Sequence, residues 1–251
     1  KVVRSGILGG PLTFVIGKHQ GFNWKIDNWS GKYNLEPQPV PDNLDYNSWL
    51  GPAPEKPYHP HRVHLSFRGY WDYDGGGLGD MGMHYIDPIQ YILDKDGTSP
   101  IKVEVDTDPQ HDDAVKGWRK ITYTYEDGTR IILDGDNSMV NAPYIEGSKG
   151  KIYKGFRSTI PKLREMLATM PELENQNGDF HDCVRNRKKF ALNEENGHRS
   201  TTVLNMGITA LQLNRTLHFD PVKQVYLNDD EANRFIHQPM RGEWNLDGGV
   251  Q

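Results

Sequence analysis

Two runs of strand-forming residues, Trp118 to Tyr125 and Arg130 to Leu133, face each other across Glu126-Asp127-Gly128-Thr129, and this stretch limits the fold more than any other. An Asp-Gly pair supplies the backbone geometry of a tight reversal, so the two runs pair antiparallel. Tyr144 to Tyr153 repeats the device with two shorter strands around a glycine-containing turn. Pro11 to Lys18 reads as a first strand, and Ile101 to Asp106 alternates apolar and polar residues as another. Helical patterns occupy Leu78 to Asp87, residues 178 to 188 behind Asn177 or Asp179 as cap, and residues 198 to 215, where Leu204, Ile208 and Leu211 share a face. Antiparallel neighbours with helices gathered on one side predict an α+β domain: an open, mostly antiparallel β-sheet with helices packed on one face. If the other face is apolar it needs a partner, so a homo-oligomer through the open sheet face is expected. Residues 20 to 60 read as a long irregular excursion of the kind that carries function, and Phe219 to Trp244 as mostly loop and short helix.

With 251 residues, 35% hydrophobic and 25% charged, the chain has an ordinary soluble balance that excludes fibrous and disordered classes. A net charge of -5 with no basic stripe argues against a nucleic-acid partner, and Arg185-Asn186-Arg187-Lys188-Lys189 reads as a solvated helix end. No apolar run approaches membrane-spanning length, so no membrane partner is expected. The single cysteine, Cys183, sits in a pattern with Phe180 and Val184 that reads as buried filler.

The chemistry concentrates between Trp71 and Pro88. The glycines at 75, 76 and 77 predict a tight turn or a close approach to a ligand. In the helix that follows, Asp80 and His84 are four apart and Asp87 lies three further along the same face. A carboxylate stacked on an imidazole holds one tautomer and keeps the ring basic enough to take a proton, so the spacing predicts an Asp80/His84 pair. Pro88 cannot bond back to the carbonyl of His84, so the helix should bend or restart there. Trp71 and Tyr73 suit stacking on a pyranose. His59, His61 and His64 match no standard zinc frame; histidines lining a polyol site, with Arg62, or simply a polar loop fit better, and no metal is expected. Gly6 to Gly10 lacks the spacing of a dinucleotide loop and precedes a strand where that loop needs a helix.

The run Gly75 to Asp87 resembles the glycine-rich D-x-G-x-H-x-x-D signature in the C-terminal domain of the glucose-fructose oxidoreductase/inositol dehydrogenase family (Gfo/Idh/MocA). Trp49 to Pro54, Asp182 to Arg185, Gly197 to Ser200 and Asp230 to Asn233 are similar to segments found in the same order in a bacterial, sugar-related branch of it. The resemblance implies a dihydrodipicolinate-reductase-like C-terminal fold and hydride exchange between a nicotinamide and a hydroxyl-bearing carbon of a sugar or polyol. It makes His84 the general base, Asp80 its orienting or substrate-holding partner, and Asp87, Trp71, Tyr73, His59, His61 and Arg62 candidate substrate contacts. Glu55-Lys56-Pro57 matches a motif of the family's nucleotide-binding half but stands in a proline-rich loop, so its role is not carried over. Because Lys1 to Gly6 resemble the end of the helix joining the two halves, residues 1 to 251 are expected to be a single substrate-binding and oligomerisation domain without the Rossmann half. NAD or NADP would then belong to the full-length parent, with none held tightly by this chain, which alone would be inactive. A redox-assisted glycosidase and a non-catalytic carbohydrate-binding or assembly module are the competing readings, with a metal-dependent hydrolase using His59, His61, His64 and His84 further off. Cytoplasm and periplasm both stay open.

Overall fold

A computed structural model describes residues 1–25, 29–173 and 178–244. Among these, nine strands form one open sheet: β1 (Thr13–Ile16), β2 (Lys102–Asp106), β3 (Lys120–Thr124), β4 (Arg130–Asp134), β5 (Ile145–Gly147), β6 (Gly150–Tyr153), β7 (Arg157–Ser158), β8 (Leu217–Asp220) and β9 (Val225–Tyr226). Their spatial order is β7-β6-β5-β1-β4-β3-β2-β8-β9. Only β1 and β4 pair in parallel; the other pairs are antiparallel, so the expected sheet is present. The hairpin between β3 and β4 closes as its sequence requires: Gly128 adopts φ +82 and Asp127 Oδ1 accepts the Thr129 N–H at 3.0 Å.

Register explains the core. Ile152, Ile145, Phe14, Ile131, Tyr123, Val103 and Leu217 are successive cross-strand partners and form one row across seven strands. All are buried, and each such apolar side chain contributes about 1.5–3 kcal/mol relative to exposure. A pleated strand sends alternate residues to the opposite face. There the partners run Lys151, Glu146, Thr13, Arg130, Thr124, Lys102 and His218. That row is polar, with ion pairs Lys151–Glu146 at 2.7 Å and Lys102–Glu104 at 2.9 Å, while the next row on the same face includes Val15 and Ile132, both buried within this chain.

Six helices accompany the sheet among the described residues: α1 (Tyr46–Leu50), α2 (Gly76–Leu93), α3 (Leu163–Thr169), α4 (Phe180–Asn186), α5 (Glu194–Leu213) and α6 (Asp230–Asn233). The two long ones cover the apolar face, α2 supplying Leu78, Ile86 and Ile89 and α5 supplying Val203, Met206 and Leu211 to the core. They approach closely because Gly82 has no side chain: a Cβ there would stand 2.9 Å from Leu204 Cδ1.

Several boundaries differ from the sequence reading. The fifth helix starts at Glu194, since the Asn193 side chain caps the N–H groups of Glu195 and Asn196. The fourth starts behind Asp179, whose carboxylate accepts from Asp182 N at 2.9 Å; the alternative cap, Asn177, lies outside the described residues. Cys183 is buried, but Phe180 and Val184 beside it are exposed, so the pattern there does not describe a core face. The second helix neither ends nor restarts at Pro88 but continues to Leu93. Pro88 and His84 both stand on its exposed side, where water can replace the bond that proline removes. The stretch from Phe219 to Trp244, read as mostly loop and short helix, also holds the end of β8 and all of β9, joined by a turn in which Asp220 Oδ1 accepts the N–H groups of Val222 and Lys223 at 2.9 Å each. No described helix is long and apolar enough to cross a membrane.

Candidate active site

The glycine triplet opens α2, and its neighbours are protein. Gly75 to Gly77 are buried, and Gly76 adopts φ +63. A Cβ on Gly75 would stand 2.6 Å from Ile208 Cδ1, one on Gly76 2.7 Å from Val115 Cγ1, and one on Gly77 2.7 Å from Trp29 Cε3. The tight turn is present, but close packing is its reason, which corrects the alternative of an approach to a ligand.

Down the helix, the three signature side chains do different things. Asp80 Oδ1 accepts from Arg68 Nε at 2.7 Å, so an arginine twelve residues upstream orients it. His84, one turn further, is exposed and makes no hydrogen bond or ion pair among the described residues; the predicted Asp80/His84 pair is not formed. Asp87 Oδ1 accepts from Ser200 Oγ at 2.7 Å, and Ser200 is fully buried on α5, so Asp87 ties the two long helices together. Asp74, just before the triplet, accepts the Gly75 N–H at 2.7 Å. Burial, with a smaller push from the charge of Asp80, raises its pKa to about 6 against the opposing Gly75 N–H and Arg68.

Beside this cluster lies a cavity of about 630 Å³ whose walls include Trp49, Phe67, Trp71, Asp72, Tyr73 and Phe235. Trp71 is held by its indole N–H, which donates to the His111 carbonyl at 2.9 Å, and Tyr73 meets Trp49 edge-on with ring centroids 4.9 Å apart. Phe67 joins cavity to cluster: it lines the wall, and the Arg68 guanidinium lies 4.8 Å from its ring centroid while pairing with Asp80.

The segment from Lys56 to Arg62 braces the wall from behind. Lys56 pairs with both Asp72 and Asp113, and Arg62 grips both oxygens of Asp113 while lying 4.7 Å over the Tyr70 ring. Burial acts to raise the Asp113 pKa, but the bonds from Arg62 and Lys56 outweigh it and hold the carboxyl below its ordinary value. His59 Nδ1 accepts the His61 N–H at 3.0 Å, and His61 Nδ1 shares a 2.7 Å hydrogen bond with Tyr70 Oη. Burial, then the nearby charge of Lys32, lowers the His61 pKa. His59, His61 and Arg62 are thus committed to local structure and are absent from the cavity wall. No three His, Cys, Asp or Glu side chains converge as metal ligands among the described residues.

The sequence reading passed over Arg68, Asp74 and Trp49. Trp49 had a signal, since Trp49 to Pro54 is one of the family-like segments; Asp74 adjoined the triplet; Arg68 had none, because only folding of the 64–69 turn carries it to the helix. In the run from Gly6 to Gly10, Gly9 is packed against protein. The 148–149 turn fills the space a Cβ of Gly9 would take, and Lys149 N donates to the Leu8 carbonyl at 2.8 Å.

An open sheet covered on one face by a helix pair defines an α+β domain. A family model described as the oxidoreductase family, C-terminal alpha/beta domain, matches residues 1–246, and the chain belongs to that Gfo/Idh/MocA family. No curated protein sequence matches it. Solved structures similar to it include an NAD-binding protein from Listeria innocua, 17% identical with a TM-score of 0.42, covering 64% of this chain and 51% of its own. Another is an oxidoreductase from Agrobacterium radiobacter in complex with NAD+, L-tartaric acid and magnesium, 14% identical with a TM-score of 0.41, covering 86% of this chain and 59% of its own. The chain therefore spans between half and three-fifths of these structures.

Proposed function

We propose that this chain is the substrate side of an NAD(P)-dependent oxidoreductase acting on a hydroxyl-bearing carbon of a sugar or polyol. One observation carries the reading: the unpaired, exposed imidazole of His84 stands one helical turn beyond a carboxylate that Arg68 has already fixed, and Arg68 in turn lies against Phe67 of an aromatic cavity wall. When an alcohol is oxidised, its O–H proton and a hydride from the adjacent carbon leave, and a C=O bond forms. A bound nicotinamide supplies the hydride acceptor. His84, exposed and without a partner of its own, is free to take the proton. Arg68 occupies Asp80 Oδ1, and Oδ2 is left to accept from a neighbouring substrate hydroxyl. Trp71 and Tyr73 supply ring surface at the cavity wall. The glycines at 6 to 10 lead into a strand where a dinucleotide loop needs a helix, and Gly9 is packed against the 148–149 turn, so calorimetry should show this chain binding NAD and NADP more weakly than micromolar.

The test is His84→Gln in the polypeptide that carries this chain, assayed for NAD(P)-linked oxidation of a panel of sugars and polyols. Loss of a general base costs about 100- to 10,000-fold in kcat. The expected result is a loss of that size with KM little changed. Unchanged kcat would remove His84 from the chemistry.

A further inference from the structure

The aromatic cavity carries more recognition chemistry than a proton-transfer site needs. Neither Asp80 nor His84 lines it. Its volume of about 630 Å³ lies within the range of ligand sites of roughly 300–1,000 Å³. Trp49, Phe67 and Phe235 are only half-buried, so ring surface is available inside it. Asp72 is held by Lys56, but four other polar residues of the lining are uncommitted. The side chains of Arg234, Asp112, Gln212 and Gln238 line the cavity, and none makes a hydrogen bond or ion pair among the described residues. The arginines nearest the cavity are engaged: Arg62 with Asp113, Arg68 with Asp80, and Arg241 with the carbonyls of Asn47, Gly51 and Ala53.

The mixture selects a ligand class. A purely apolar occupant would leave desolvated polar groups unpaired, at about 1–3 kcal/mol each. A polyanion would meet Asp72 and Asp112 as well as Arg234. A pyranose satisfies both demands: its axial C–H face stacks on aromatic rings, while adjacent hydroxyls accept from a guanidinium and donate to a carboxylate or carboxamide oxygen. Phe67 and Arg68 link the cavity wall to Asp80.

We propose that this cavity is a glycosyl subsite, taking one pyranose ring of a glycoside or oligosaccharide whose other unit presents its reacting hydroxyl to His84. This rests on the sugar reading above and narrows it from single sugars and small polyols to substrates of at least two units.

The test is calorimetric titration of the 251-residue chain with cellobiose, maltose and lactose against glucose and galactose. At least one disaccharide should bind about tenfold or more tightly than its component monosaccharides. Arg234→Ala, an exposed residue whose loss leaves folding intact, and Trp49→Ala should each remove that advantage, while His84→Gln keeps it. Equal affinity for mono- and disaccharides, binding by none of the three disaccharides, or an advantage surviving both cavity variants overturns the proposal. Failure here with His84→Gln still abolishing turnover of a monosaccharide leaves the hydride-transfer reading standing. Turnover surviving without His84 removes that reading while the cavity titration stands by itself.

Discussion

Arg68 Nε and Asp80 Oδ1 are joined at 2.7 Å, and each side chain is about a quarter exposed, at 26% and 25%. The bond fixes the carboxylate of the family signature from outside its own helix and leaves the imidazole of that signature unengaged. Asp74 feels both partners, since Asp80 raises its pKa and Arg68 lowers it. Replacing Arg68 by leucine should therefore move the Asp74 midpoint above about 6, and Asp80→Asn should move it below. Carboxyl carbon NMR of Asp74 across a pH series reads both shifts. A midpoint unmoved in both variants would show that the three groups do not share a field. Arg68→Leu should also lower folding stability by about 1–2 kcal/mol, the worth of one charge-assisted hydrogen bond in partial contact with water.

Asp74 makes its own pH signature. Its native pKa of about 6 lies above the unfolded value of about 3.9, so the native state binds the proton more tightly. The stability it contributes is full below about pH 4 and is lost as pH rises through about 6. Asp74→Asn keeps an oxygen for the Gly75 N–H and removes the titration. Urea unfolding should show the variant more stable than wild type at pH 7 by about 1 kcal/mol, after discounting for solvent screening, and not more stable at pH 4. A constant difference across that window would assign the effect to packing.

Asp113 has the opposite sign. Arg62 and Lys56 hold its carboxyl below the unfolded value, so the stability it brings is present above about pH 4 and fades as pH falls through the lower native pKa. Asp113→Asn strips Arg62 of its bidentate partner and leaves Lys56 with Asp72 alone. We expect a loss of about 2–3 kcal/mol at pH 7, shrinking toward zero near pH 2, followed by chemical denaturation. The same variant should raise amide exchange at Val63 and Trp71, because Arg62 stacks on Tyr70 and the Trp71 N–H donates to the Asp113 carbonyl at 3.1 Å.

What was legible in the chain divides along physical lines. The hairpin at Asp127-Gly128 and the strand pair around Gly147 to Gly150 are local events with their own turn chemistry, and both formed where the sequence placed them. The parallel pairing of Thr13–Ile16 with Arg130–Asp134 joins residues over a hundred positions apart, and no local pattern encodes it. Helical spacing put Asp80, His84 and Asp87 on one face but could not say which neighbour each would meet, and Arg68 and Ser200 arrive through tertiary folding. Asx turns such as that of Asp220 look like loop in a periodicity reading although they close strands. Histidines 59 and 61 resembled site residues by type, yet one caps a turn and the other bonds a buried tyrosine.

Gly207 and Tyr123 give a prediction that needs no functional assumption. Gly207 stands in the middle of the 194–213 helix, where alanine would ordinarily gain about 1 kcal/mol in helix propensity. Here a Cβ would overlap the hydroxyl of Tyr123, a fully buried side chain, and would also stand 3.0 Å from Leu78 Cδ2. Overpacking of that kind costs about 1–3 kcal/mol, so Gly207→Ala should be destabilising on balance. The Tyr123 hydroxyl has no hydrogen-bond partner among the described residues, which makes Tyr123→Phe neutral or slightly stabilising. Removing that oxygen also clears the overlap, leaving the ring carbon that bore it 3.1 Å from the new Cβ. In the double variant, Gly207→Ala should therefore cost at least about 1 kcal/mol less than it does alone, a coupling of the size that contacting residues show. Four urea-unfolding curves complete the cycle, and additivity within about 0.3 kcal/mol would mean that the helix shifts to accommodate the methyl group without pressing on Tyr123.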